Sequence, residues 1–87
     1  MNKRIAVVSI IIEDTGAAAE VNAILHDFGN YIVGRMGIPY RDRGISIICV
    51  VIDAEENVIS ALSGKLGMLR GVSAKTAIAK SKIRGAL

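Results

Sequence analysis

Two stretches of the chain are apolar at almost every position and rich in isoleucine and valine. They cover residues 5–12 and 44–54, and acidic side chains end both of them. Such a run is too short to cross a membrane and too rich in β-branched residues to favour a helix. A strand with both faces buried has this pattern, because neither alternate set of side chains meets water. We therefore predict strands at residues 4–13 and 44–54, in the centre of one sheet.

A first amphipathic helix is predicted between these strands, because apolar residues recur there at spacings of three and four. The apolar stripe begins at Ala18 and ends at Phe28. Asp14 or Thr15 offers a side-chain oxygen as the N-cap. Gly29 then follows the helix as its C′ residue.

A second amphipathic helix is predicted after residues 44–54, again from apolar residues at helical spacing. Asp53 and Glu56 have the spacing of a capping box, which places the start of this helix. Two glycines interrupt it. We interpret Gly64 as a position of close packing and Gly67 as the beginning of the helix end.

Two further strands complete the element order β-α-β-β-α-β. They cover residues 30–38 and 72–79, and the turn at 39–44 has Pro, Asp and Gly in turn positions. Right-handed crossovers put both helices on one side of the sheet. We predict one ferredoxin-like α/β domain over residues 1–87, an α+β sandwich whose four-stranded antiparallel-type sheet has the order 4-1-3-2. The two apolar strands should be adjacent and parallel in its centre, and the basic tail at 80–87 should be frayed.

Both faces of this sheet are apolar, although two helices cover only one. In residues 5–12 and 45–52 both alternate sets of positions consist mainly of Ile and Val. The pattern does not say which set meets the helices, since a shift of one residue exchanges them. A second copy of the sheet is the simplest cover for the other face, so we predict a homo-oligomer, either a dimer or a tetramer.

The composition narrows the class of protein. Hydrophobic residues make up 52% of the 87 positions, and the mean hydropathy is +0.47. No uncharged apolar run reaches the roughly 18 residues of a membrane span, so no membrane partner is expected and the surplus apolar surface points to a subunit interface. One cysteine leaves no internal disulfide and fits a reducing cytoplasm. The formal net charge of +3 permits an acidic partner without requiring one.

No arrangement of catalytic groups stands out, so we expect no enzyme. Gly64-Lys65 lacks the upstream glycine and the following Ser or Thr of a phosphate-binding loop. His26 and Cys49 are the only soft metal ligands. They are too few for a usual zinc or nickel site, and we expect neither a metal nor a cofactor.

Three arginines, Arg35, Arg41 and Arg43, gather around the 39–44 turn. An exposed charged hairpin is the simplest interpretation, and an acidic protein partner or a small anion are the alternatives. Nucleic-acid-binding sheets of this topology stack bases on aromatic residues of their central strands. The two apolar strands carry none, so we expect no direct nucleic-acid partner.

Two motifs make the chain resemble a known family over residues 3–80. They are Arg-x-Gly-x-Pro-x-Arg at 35–41 and Ala-Leu-Ser-Gly-Lys-Leu-Gly at 61–67. The chain resembles the small regulators associated with iron-only hydrogenase systems, whose fold is similar to ACT regulatory domains and to the C-terminal domain of nickel-responsive repressors. The resemblance implies a non-enzymatic, oligomeric regulatory domain that senses a small ligand or a hydrogenase-system protein. The alternative is a structural or assembly partner in hydrogenase maturation without a small-molecule ligand.

The likeness to ACT domains also implies a ligand site. In those domains the first strand-to-helix turn and the start of the second strand line an amino-acid pocket at a subunit interface. The matching positions here are Asp14, Gly16, Asn30 and Tyr31, and Thr15 stands where a proline is usual. Helix capping alone also explains Asp14 and Gly16, so both interpretations stay open.

Overall fold

Four strands and two helices alternate along the chain in the predicted order. The structure is a computed structural model, and it describes residues 2–80. The elements are β1 (Lys3–Ile12), α1 (Ala18–Asp27), β2 (Ile32–Tyr40), β3 (Ile45–Glu55), α2 (Glu56–Gly67) and β4 (Val72–Ile78). Short 3₁₀ turns occupy Thr15–Ala17, Gly29–Tyr31 and Arg41–Arg43. Most of the predicted basic tail lies outside the described residues.

The sheet has the strand order β2-β3-β1-β4, which confirms the predicted ferredoxin-like arrangement. The prediction that β1 and β3 are parallel was wrong. They are antiparallel, with Arg4 opposite Ala54 and Ile11 opposite Ile47. The helical crossover makes β2 run in the direction of β1, and the hairpin after β2 then reverses β3. Every neighbouring pair in the sheet is therefore antiparallel.

The core lies between the two helices and the even-numbered side chains of the central strands. Val8 and Ile10 of β1 are fully buried, as are Val50 and Ile52 of β3. The helices contribute their predicted apolar stripes to the same cluster, with Val21, Leu25, Ile59, Leu62 and Leu66 buried. Both helices therefore cover one face of the sheet, and the structure settles which alternate set meets them.

The opposite face is apolar and is not covered by any described residue of the chain. Its most exposed members are Val7 at 39%, Ile11 at 41%, Tyr40 at 47%, Ile38 at 51% and Met36 at 61%. We call this surface the open face; its apolar residues are Ile5, Val7, Ile11, Met36, Ile38, Tyr40, Ile45, Ile47, Cys49 and Val51.

The predicted capping box at the start of α2 was wrong. Strand β3 continues to Glu55, and Asp53 lies within it, opposite Ile5. Ladder pairing with β1 extends to the end of the strand, so Asp53 is not at the helix terminus. Gly64 was also misinterpreted, because a Cβ added there would have no neighbour within 4 Å. The helix does not need a glycine at that position for close packing.

The turn before β4 is tied to the end of β1 through Gly71. The carbonyl oxygen of Gly71 accepts hydrogen bonds from the backbone N–H of Glu13 at 2.7 Å and of Asp14 at 3.4 Å. Gly71 has a φ of +75°, a conformation that residues with a Cβ adopt at a cost. No helix within residues 2–80 is long and apolar enough to cross a membrane.

Candidate functional site

A groove of about 260 Å³ lies between α1 and the edge strand β2. It exists because α1 leaves β2 uncovered, so that eight of the nine β2 residues are exposed. Ile12 and Ile48 line it from the buried core. The complete lining is Ile12, Ala18, Asn22, Arg35, Gly37, Ile38, Pro39, Ser46, Ile47 and Ile48.

Arg35 supplies the charge of this groove. It pairs with Val50, a core residue, so its side chain leaves β2 on the helix side of the sheet. Its Nη2 donates a hydrogen bond to Oδ1 of Asn22 at 2.9 Å, which holds the guanidinium against α1. Within residues 2–80 no carboxylate pairs with Arg35, and no acidic residue lines the groove. The guanidinium is thus a cation beside apolar walls, and it keeps donors for an incoming anion.

Gly37 keeps the floor of the groove open. It lies opposite Ile48 on the same side of β2 as Arg35. A Cβ at Gly37 would be 4.0 Å from the carbonyl oxygen of Ile47 and 4.0 Å from Cγ1 of Ile48. This is ordinary van der Waals contact, so an alanine fits, whereas a longer side chain would occupy the space of a ligand.

The other two arginines of the predicted group lie elsewhere. Arg41 and Arg43 are in the 3₁₀ turn at the tip of the β2–β3 hairpin, which Gly44 closes with a φ of +65°. A strand advances about 3.3 Å per residue, so Arg41 is roughly 20 Å from Arg35 along the chain direction. The structure therefore brings Arg41 and Arg43 together and separates Arg35 from them.

The residues matched to the ACT pocket are also separated within one chain. Oδ1 of Asp14 accepts a hydrogen bond from the backbone N–H of Gly16 at 3.0 Å, which is the capping role. Asn30 and Tyr31 lie in the turn after α1, and the ten residues of α1 intervene. A helix of that length spans about 15 Å. The pocket therefore stays a prediction that requires two subunits.

A second groove lies at the other edge of the sheet, between α2 and β4, with a volume of about 330 Å³. The residues that line it are Ile59, Ser60, Ser63, Gly64, Thr76 and Ile78. The Oγ1 atom of Thr76 is buried and has no hydrogen-bond partner among the described residues. No charged residue lines this groove, whereas Arg35 lines the groove at β2.

The soft metal ligands do not converge. His26 is exposed on α1, and Cys49 is a half-buried free thiol on the open face, opposite Ser9. Across residues 2–80 no three side chains of the His, Cys, Asp and Glu types form a group that could hold a metal ion.

Sequence reasoning missed Asn22 and Gly37 as parts of a site. Asn22 follows Ala18 by one helical turn, beside the buried stripe of Val21 and Leu25, and this spacing is the only sequence signal that it faces the sheet. Gly37 alternates with Arg35 along β2, which is the signal that both lie on one face. Neither signal shows that the strand extends beyond the cover of the helix.

The fold and its two edge grooves define a small ferredoxin-like α+β domain with one sheet face open. Residues 4–76 match the model of the TM1266-like family, described as "Iron-only hydrogenase system regulator, putative". The chain belongs to this family, as its sequence motifs indicated.

Solved structures agree with this assignment. The structure of an uncharacterized protein, TM1266 from Thermotoga maritima, is 38% identical, with a TM-score of 0.86 over 90% of this chain and 99% of that one. Two distant structures show the fold alone. A formyltetrahydrofolate deformylase from Pseudomonas putida KT2440 has 11% identity and a TM-score of 0.61 over 84% of this chain and 28% of that one. An unknown protein from Galdieria sulphuraria has 17% identity and a TM-score of 0.61 over 95% and 48%. A search of curated proteins finds no match.

Proposed function

We propose that this protein is a non-enzymatic, ligand-sensing regulatory domain of an iron-only hydrogenase system, and that it works in the cytoplasm as a homo-oligomer joined through the open face. Membership of the TM1266-like family supports the hydrogenase system. The open face is the observation that carries the oligomer. Each of these two parts has its own experiment.

The side chains of the open face form two apolar rows across the sheet. One row joins Ile38, Ile47 and Ile11, and the other joins Val51 and Val7; the polar Ser9 lies between them on β1, opposite Cys49. Charged residues are confined to the margins, with Lys75 on the edge strand β4. This distribution of an apolar centre and a polar rim is typical of a protein interface.

The size of the open face suits a second copy of the same sheet. Four strands about 4.8 Å apart and about eight residues long define a plane of roughly 500 Å². Two copies packed face to face then bury roughly 1,000 Å², the lower limit of a specific interface. Sheets pack in this way at a separation of about 10 Å.

The energy of covering the open face is comparable to the cost of association. Its five exposed large side chains, which keep 39–61% of their surface, gain ~0.7–1.5 kcal/mol each on burial, about half the value for a fully exposed side chain. Two copies therefore gain roughly 7–15 kcal/mol, against an association cost of ~4–15 kcal/mol. The half-buried Ile5, Ile47 and Val51 add to the favourable side.

The absence of converging catalytic groups supports a non-enzymatic role. Asp14 caps a turn, Asp53 is in a strand, and His26 is exposed on a helix. Catalysis by acids, bases or nucleophiles requires such groups within hydrogen-bond distance of one another or of a common substrate. The described side chains show no such set.

Light scattering after size-exclusion chromatography tests the oligomer. The wild type should have at least twice the chain mass of 9.2 kDa, and Val7→Lys should reduce it to the monomer while keeping the folded circular-dichroism spectrum. Ala23→Lys is the matched control, because Ala23 is exposed on α1 and its charge should leave the assembly intact. A stable wild-type monomer at micromolar concentration would refute this part of the proposal.

Deletion and complementation test the regulatory part. Removing the chain from its host should change iron-only hydrogenase activity, and wild type should restore it. Val7→Lys should fail to restore it if the oligomer is the working form, whereas Ala23→Lys should succeed. Unchanged hydrogenase activity after deletion would overturn the regulatory role and leave the oligomer standing.

A further inference from the structure

We propose that the groove between α1 and β2 binds a small organic monocarboxylate with a short apolar substituent, and that Arg35 holds the carboxylate. The biological role of such a ligand rests on the proposed regulatory function. Binding itself does not, because all the residues that line the groove belong to one chain.

The charge of the groove selects an anion. Arg35 is the charged residue of the lining, and it donates a hydrogen bond to the neutral Asn22. A guanidinium has five N–H donors in a planar fork that matches the two oxygens of a carboxylate. Asn22 uses one donor, and the rest of the fork is available to a ligand in the groove.

The walls select the remainder of the ligand. Ala18, Pro39 and Ile48 contribute apolar surface to the groove, and Gly37 leaves its floor clear. Such surfaces favour an aliphatic or aromatic substituent by excluding water from it. None of the described lining residues is acidic, so the groove offers no carboxylate to pair with a ligand ammonium group. A simple carboxylic acid therefore suits the groove better than a zwitterionic amino acid.

The volume of the groove suits a small acid, which need not be wholly enclosed because the groove is open to solvent. The cavity measures about 260 Å³, below the roughly 300–1,000 Å³ of pockets for drug-sized ligands. A branched acid with four to six carbons or a phenyl-substituted acetate is therefore the appropriate class. Inorganic phosphate fits the charge less well, because phosphate sites gather several donors and the lining contains one guanidinium and no lysine.

Backbone amide spectra of the ¹⁵N-labelled protein provide the test. The probes are 3-methylbutanoate, phenylacetate, the neutral 3-methylbutanamide and inorganic phosphate. Millimolar 3-methylbutanoate or phenylacetate should shift the amide signals of Ala18, Asn22, Arg35 and Ser46 in a saturable way. The neutral amide should not, because it cannot form the charged pair with the guanidinium.

Three substitutions locate the site. Arg35→Gln should raise the dissociation constant several-fold, because the charged pair is lost but the exposed guanidinium is already partly screened by solvent. Arg35→Lys should recover part of the affinity, because the charge remains and the fork is lost. Gly37→Val should block binding by filling the floor. The matched controls Arg41→Gln and Arg43→Gln remove the same charge at the hairpin tip and should leave the affinity unchanged.

Each alternative outcome contradicts the inference in a recognisable way. Equal binding of acid and amide would exclude the role of the charge, and equal binding by wild type and Arg35→Gln would exclude this arginine. Phosphate binding that requires Arg41 and Arg43 would move the anion site to the hairpin. The folded Val7→Lys variant should still bind the acid, because every residue of the groove belongs to one chain, so failure of the groove and failure of the oligomer are separate results.

Discussion

Gly71→Ala should lower the free energy of unfolding more than Gly44→Ala does at the hairpin tip. An alanine at φ +75° costs about 1–2 kcal/mol in backbone strain. Its Cβ would also overlap Cβ of Asp14 and lie 3.1 Å from the backbone nitrogen of Asp14. That nitrogen donates a hydrogen bond to Gly71 itself, so the two segments cannot separate without losing the tie between β1 and β4. Overpacking of this kind costs ~1–3 kcal/mol, which gives a total of about 2–5 kcal/mol.

Two other glycines serve as controls for the two contributions. Gly44 has a φ of +65° but open space around its Cβ position, so Gly44→Ala should cost only the ~1–2 kcal/mol of strain. Gly64 is helical with open space, so Gly64→Ala should stabilise the protein by about 1 kcal/mol. Urea unfolding at one protein concentration measures all three free energies, provided that the slopes agree. Equal losses at Gly71 and Gly44 would show that the contact with Asp14 relaxes without cost.

Three further substitutions test the core and the open face. Thr76→Val should raise the free energy of unfolding in urea by about 1–3 kcal/mol, because it removes a buried hydroxyl that lacks a partner; a loss of stability would reveal that the hydroxyl is satisfied. Ile48→Asp should abolish the folded circular-dichroism spectrum, because Ile48 is 7% exposed in the core, whereas Ile47→Asp on the open face should preserve the fold and reduce the mass in light scattering to that of the monomer. Similar behaviour of the two aspartates would contradict the assignment of the faces.

The sequence predicts the elements of this fold well because each leaves a local signal. The β-branched runs become β1 and β3, and the stripes containing Val21 and Leu62 become the buried faces of the helices. Asp53 shows the limit of local signals. Its spacing to Glu56 satisfies the rule for a capping box, but the ladder between β1 and β3 extends past it. Pairing between segments distant in the sequence makes Asp53 a strand residue, and a rule based on local spacing cannot detect such pairing.

The relation between the two sheet faces could not be predicted for a similar reason. Ile47 and Ile48 are chemically identical neighbours, and only their alternation relative to the helices distinguishes them. The groove at β2 is even harder to predict from the sequence. It requires Ala18 and Asn22 on one element to meet Arg35 and Gly37 on another, and it requires the edge strand to extend beyond the helix. The sequence suggested that Arg35, Arg41 and Arg43 form one group. The length of β2 instead places Arg35 far from the two arginines at the hairpin tip.

The groove and the open face are not independent surfaces, because Ile38 and Ile47 belong to both. They line the groove, and their pairing places them on the side of the sheet away from the helices. If a second copy covers the open face, it also fixes the segment of β2 and β3 that forms the groove, and a ligand in the groove fixes the same segment for a second copy. Two binding events that order one element are coupled, and the coupling free energy is the same in both directions. If both proposals hold, binding of a small acid shifts the assembly equilibrium without a change of fold, and assembly changes the affinity for the acid by the same factor.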